Sequence, residues 1–171
     1  TNTVGDYTIT YDVTDAHGNA ATQMTRTVHI IPDVTAPSVP SITIAQITPN
    51  TISASWTPST DDQAVAHYLY GISSSATDTP TTATTSTQTG DTVLTDGTWY
   101  ATVQAVDVAG NVSTSSQSSI VIDTTAPLIT LTGASSITQF LHTTYVDQGA
   151  TALDLHDGDL TTSMVTTGSV D

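Results

Sequence analysis

Two short phrases, each occurring twice, constrain this chain more than anything else in it. The first is Asp-x-Thr-Ala-Pro, at Asp33-Val34-Thr35-Ala36-Pro37 and again at Asp123-Thr124-Thr125-Ala126-Pro127. The second pairs an aromatic residue with a turn. Tyr7 leads to Asp15-Ala16-His17-Gly18-Asn19, and Trp99 leads at the same spacing to Asp107-Val108-Ala109-Gly110-Asn111. Each Asp-x-Thr-Ala-Pro follows one run that alternates like a strand and precedes another. Self-similarity of this kind is the mark of a repeat protein, and the two phrases are its punctuation.

Composition fixes what the repeats are made of. All 16 acidic residues are Asp, Glu and Lys are absent, Arg26 is the single basic residue, and Thr occurs 39 times. Glu and Lys favour helices, whereas Thr and Val favour strands and Asp favours turns, so the prediction is an all-β chain. A formal net charge of -15 opposes binding to nucleic acid or to anionic membranes, both of which need basic patches. Absence of cysteine excludes disulfides and thiolate metal sites. No stretch has the character of a signal peptide or a membrane span, and the chain begins in mid-pattern, so a targeting segment could lie outside it.

Taken in order, residues 1–31 predict a hairpin. Tyr7, Ile9, Tyr11 and Val13 share one face of its first strand, and Met24, Arg26, Val28 and Ile30 lie on the return. Two strands alone do not make a stable unit. After a linker at 32–37, residues 38–122 predict a complete sandwich. Its strands lie near Ser41–Ala45, through Ile52, Ala54 and Trp56, and over Ala66–Ile72. Short edge strands follow within 73–92, then a strand through Trp99, Ala101, Val103 and Ala105 and a last one at Ser118–Ile122. Strand parity puts Trp99 inside. A second linker at 123–127 leads to residues 128–171, which start another unit: a strand from Leu128, one over Tyr145–Leu155, and one over Met164–Val170.

The central segment resembles a bacterial fibronectin type III domain, on Ser55-Trp56-Thr57, Ser59-Thr60-Asp61-Asp62, Tyr68 and the run Gly97 to Asn111. Residues 128–171 resemble the front half of a bacterial immunoglobulin-like domain, on the run Tyr145 to Asp154 and on Asp157-Gly158-Asp159-Leu160-Thr161, and residues 1–31 resemble the back half. The resemblance implies tandem immunoglobulin-like and fibronectin type III Greek-key sandwiches, as in long surface proteins and secreted polysaccharide-degrading enzymes. The end of the chain joined to its beginning would make one uninterrupted domain. The chain therefore reads as one period of a tandem array; the alternative is a fragment flanked by different domains. The expected partners are adjacent copies of the repeat, in tandem or by strand complementation between chains.

In such a sandwich, the linker, one interstrand loop and the last hairpin turn meet at one pole. This gathers Asp33, Asp61, Asp62, Asp107 and Asn111 at the first joint. At the second it gathers Asp123, Asp154, Asp157 and Asp159 with Asp15 and Asn19 of the next copy. Clustered carboxylates repel unless a cation sits among them, and an oxygen-only donor set selects a hard ion such as Ca²⁺. The resemblance to repeat adhesins implies calcium at linkers as well. The competing reading is that these Asp residues are solvated turn formers. No nucleophile–base phrase occurs, so no enzyme is predicted. The first functional expectation is a structural repeat of an extracellular bacterial stalk, adhesin or filament at the cell surface, stiffened by interdomain calcium. The second is a spacer or accessory module of a secreted polysaccharide-degrading enzyme.

Overall fold

The computed structural model describes residues 3–169. Among them every regular element is a strand except one 3₁₀ turn at Thr161–Ser163, and the chain is all-β as composition requires. The first two strands, β1 (Gly5–Tyr11) and β2 (Met24–Ile30), form an isolated antiparallel hairpin.

Seven strands follow in two facing sheets. One sheet orders β3 (Ile42–Thr48), β4 (Thr51–Trp56) and β7 (Thr92–Val93). The other orders β6 (Thr82–Thr84), β5 (Val65–Ser73), β8 (Gly97–Asp107) and β9 (Ser116–Ile122). The chain crosses between sheets after β4, β6 and β7, the Greek-key arrangement of an immunoglobulin-like or fibronectin type III sandwich. Ile42, Ala54 and Trp56 from one sheet meet Tyr68, Ala101, Val103 and Ala105 from the other. Alternation along β4 and β8 produces this layer, because period-two side chains share a face. The Trp56 ring meets Tyr68 edge-on, with centroids 5.7 Å apart. A second cluster of Ile52, Leu94 and Ile122 lies under Trp99, which is only partly buried and whose indole N–H donates to the Thr95 carbonyl at 2.8 Å.

A third sheet joins β10 (Leu128–Leu131), β11 (Ala150–Asp154) and β12 (Gly158–Asp159). Here two expectations need correction. The strand predicted over Tyr145–Leu155 is confined to Ala150–Asp154. Its partner β10 ends where Gly133 turns the chain at φ 97°, and Gly149 bends at φ 77° with its N–H on Asp147 Oδ1, so the earlier residues have no ladder to join. The strand predicted over Met164–Val170 does not form over the described residues 164–169, and Val170 lies outside them. A strand exists only with a hydrogen-bonded neighbour, and none of the described strands pairs with this segment.

Trp56 is 5 % exposed at the centre of the sandwich, whereas Ile9 on β1 is 45 % exposed. Trp56→Ala is expected to destabilise the chain by about 3–5 kcal/mol, and Ile9→Ala by no more than about 0.5 kcal/mol. Urea unfolding followed by circular dichroism checks both.

Candidate metal centres at the two joints

The first joint is built from three loops. In the leading linker, Asp33 closes a tight turn by accepting the Thr35 N–H on Oδ1 at 2.9 Å. The loop after β4 is laced to that linker: Ser38 N–H reaches the Thr60 carbonyl at 2.9 Å, and Thr60 N–H reaches Ser38 Oγ at 2.8 Å. Asp61 on this loop accepts the Gln63 N–H on Oδ2 at 3.0 Å. The third contribution is the β8–β9 turn. Asp107, 2 % exposed, takes the N–H groups of Ala109, Gly110 and Asn111 on Oδ1 and the Asn111 amide on Oδ2. The same Asn111 amide reaches the Asp33 carbonyl at 3.3 Å, tying turn to linker.

Asp33, Asp61 and Asp107 each place a carboxylate oxygen within 4.8 Å of the others. Asp33 Oδ2 and Asp61 Oδ1 are buried and accept no hydrogen bond. Two bare anionic oxygens shielded from water beside a third carboxylate are costly, and a cation removes that cost. An all-oxygen donor set suits a hard divalent ion. The residues therefore fit the ion predicted for them. Asp62 sits at the rim, accepting the Thr35 hydroxyl at 3.4 Å, and Asn111 serves as a donor that positions its neighbours.

The second joint repeats part of this plan. Asp123 closes the same turn on Thr125 N–H at 3.0 Å. Asp154, 4 % exposed at the end of β11, accepts the N–H groups of His156 at 2.7 Å and Asp157 at 3.0 Å. Asp123, Asp154 and Asp157 again have carboxylate oxygens within 4.8 Å of one another. Asp159 lies outside the cluster and accepts the Thr161 N–H. Asp15 and Asn19, expected here from a following copy, close the β1–β2 turn on each other within this chain. One residue of this joint went unread in the sequence. Asp96, between β7 and β8, grips the linker by accepting Thr124 N–H and the hydroxyls of Thr124 and Thr125 at 2.7–3.0 Å. It belongs to neither repeated phrase, so nothing in the spacing marks it.

Hydrogen bonding sets the ionisation of these groups. Burial alone would raise the Asp107 carboxyl, but the Asn111 side chain and the three turn N–H groups outweigh it and hold it below its ordinary value. Asp154 is lowered by the N–H groups of Asp157 and His156, against burial and the charge of Asp96. Asp96 is lowered by the Thr125 and Thr124 hydroxyls, and Asp15 by the Asn19 side chain.

Comparison with known proteins bears on the fold. Residues 1–30 match the family model described as bacterial surface protein, Ig-like domain. The chain is similar to Exoglucanase B of Cellulomonas fimi, 40 % identical over 137 residues, covering 72 % of this chain and 12 % of that protein. It is similar to Chitinase Chi52 of Paenibacillus xylanexedens, 46 % identical over 90 residues, covering 51 % of this chain and 16 % of that one. Against Chitinase A1 of Niallia circulans the identity is 35 % over 150 residues, covering 78 % and 21 %. The matched region is thus 12–21 % of the length of these relatives.

The lowered carboxyls fix the sign of the acid response. A group whose folded pKa lies below its unfolded one stabilises the fold fully above about pH 4, and that contribution is lost as pH falls through the depressed folded value. The urea midpoint is therefore expected to be flat from about pH 7 to 5 and to drop below about pH 4. Asp107→Asn should lower the midpoint at neutral pH and flatten the acid limb.

Proposed function

We propose that this chain is a non-catalytic spacer or accessory module of an extracellular bacterial polysaccharide-degrading enzyme. In this reading the module holds functional parts apart by means of sandwiches joined through ion-bound linkers. The observation that carries it is the pattern of similarity. The chain matches a small part of an exoglucanase and of two chitinases, and its own described residues form β-sheets joined by linkers and loops. That reverses the order of the two expectations drawn from sequence, in which the surface stalk came first. The stalk remains the second reading, favoured by the surface-protein family match at residues 1–30 and by the doubled punctuation. Both readings give the chain the same mechanical work, and both place it outside the cell.

The proposed division is a central sandwich at 38–122, linkers at 32–37 and 123–127, and half-units at 1–31 and 128–171. Asp33, Asp61 and Asp107 would hold a Ca²⁺ at the first joint, with Asp62 and Asn111 as supports, and Asp123, Asp154 and Asp157 would hold one at the second. Bound there, the ion would supply charge neutralisation and a fixed angle between linker and sandwich. The burial of Asp33 Oδ2 and Asp61 Oδ1 without hydrogen-bond partners supports this.

Two measurements test the reading. The chain incubated with chitin or with a β-glucan is expected to release no sugar above the blank; Asp-dependent release would contradict the spacer. Calcium at a hundred times its dissociation constant should stabilise the chain by about 2.7 kcal/mol, seen as a higher melting temperature. Asp61→Asn should remove most of that gain at the first joint. An unchanged melting temperature in calcium and in chelator would remove the ion.

A further inference from the structure

The β1–β2 hairpin duplicates β8–β9 residue for residue, at an offset of 92 positions, yet only one of the two is covered. In the central sandwich Gly97 pairs with Ile122, Trp99 with Ile120, and Val103 with Ser116. In the isolated hairpin Gly5 pairs with Ile30, Tyr7 with Val28, and Tyr11 with Met24. The bridge Val106–Val112 has its counterpart in Thr14–Ala20. Trp99 donates to the carbonyl four residues before it, and Tyr7 donates to the Thr3 carbonyl in the same way at 2.8 Å. The Asp15 turn repeats the Asp107 turn, with N–H groups on Oδ1 and the Asn amide on Oδ2.

Equivalent positions have opposite environments. Ala101 and Val103 are 2 % and 0 % exposed, whereas Ile9 and Tyr11, at the same register, are 45 % and 49 % exposed. In the central sandwich the covering layer is the sheet that begins just after the first Asp-x-Thr-Ala-Pro, where β3 packs on β8 and β9. The same phrase at Asp123–Pro127 also leads into a sheet, β10–β11–β12, and among the described residues no second sheet packs on it, although Ala152 on that face is buried. Ile129 and Leu131 stand 61 % and 56 % exposed along a groove shared with Ala150, Met164 and Val165. Each half carries the layer the other lacks.

We propose that the apolar face of β1–β2 is covered by the β10–β11–β12 sheet of a second copy of this chain, the copy that precedes it. The two halves form a sandwich equivalent to the central one. Ile9, Tyr11 and Val28 of one copy lie against Ile129, Leu131 and Ala150 of the other. The seat brings the Asp15–Asn19 turn of the following copy to Asp123 and Asp154 of the preceding one. There Asn19 takes the part that Asn111 plays toward the Asp33 carbonyl. The second joint is therefore incomplete in a single copy. This inference does not depend on the ion, because the apolar layer forms with or without it.

The absence of cysteine makes a direct test available. Two full copies are joined end to end, and Ile9→Cys is placed either in the first copy or in the second. The rate of thiol labelling by a maleimide is measured in chelator. The expected result is labelling at least about tenfold slower in the second copy, with equal rates in both once unfolded in urea. Tyr11→Cys gives an independent position should Ile9→Cys perturb the hairpin. Equal fast rates in the two copies would overturn the proposal, since the face would then be open in both. Equal slow rates would overturn it too, because the face would then be covered from within its own chain. Protection that appears in both copies only when chitin fragments are added would assign the face to a glycan instead, and would also overturn it.

Discussion

The carboxylate of Asp107 is the constraint on which the central sandwich depends. By taking three backbone N–H groups and the Asn111 amide it closes the β8–β9 turn, and the turn fixes the register of the longest strand. Register decides which residues face inward, because a slip of one position would turn Ala101, Val103 and Ala105 to the opposite face. The same turn carries Asn111 to the Asp33 carbonyl, so the interaction that sets the core also sets the joint. Its copy at Asp15 closes a second hairpin in the same way, which is why the chain repeats the phrase rather than the whole sequence around it.

The joints show how a chain poor in large side chains can be stiffened. With Arg26 as its only Lys or Arg and with no cysteine, it has almost no means of making ion pairs and none of making disulfides. Short polar residues take their place. Thr35, Ser38 and Thr60 lace the first linker to its loop, and Thr124 and Thr125 bind the second linker to Asp96. What these bonds leave unsatisfied is a pair of buried carboxylate oxygens at the first joint. The proposed ion occupies a place where the hydrogen-bond network stops short on two carboxylate oxygens.

Much of the fold was legible because alternation and turn chemistry are local. The strands through Ile52 to Trp56 and Trp99 to Ala105, and both Asp-x-x-Gly-Asn turns, follow from period and residue type alone. The Thr- and Ser-rich stretch 73–92 yields only two short edge strands, and its weak pattern gave little more than their existence. Strand lengths after Leu128 were misread because a strand needs a neighbour, and alternation over Tyr145–Gly149 and beyond Met164 cannot report that the neighbour is missing. Of the acids, the geometry gathers Asp33, Asp61 and Asp107 at one joint and Asp123, Asp154 and Asp157 at the other. Asp96 was invisible because its partners lie across the fold from it, outside any repeated phrase.

The central claim is that the linkers are held at fixed angles by hard cations, so that the module acts as a rigid spacer. Small-angle scattering of the chain in calcium and in chelator measures this directly. The account predicts a longer maximum dimension and a sharper cross-sectional profile in calcium, with chelator giving a shorter and more variable particle. Superimposable curves under the two conditions would contradict it, and would leave a string of sandwiches joined by linkers that hydrogen bonds alone hold in place.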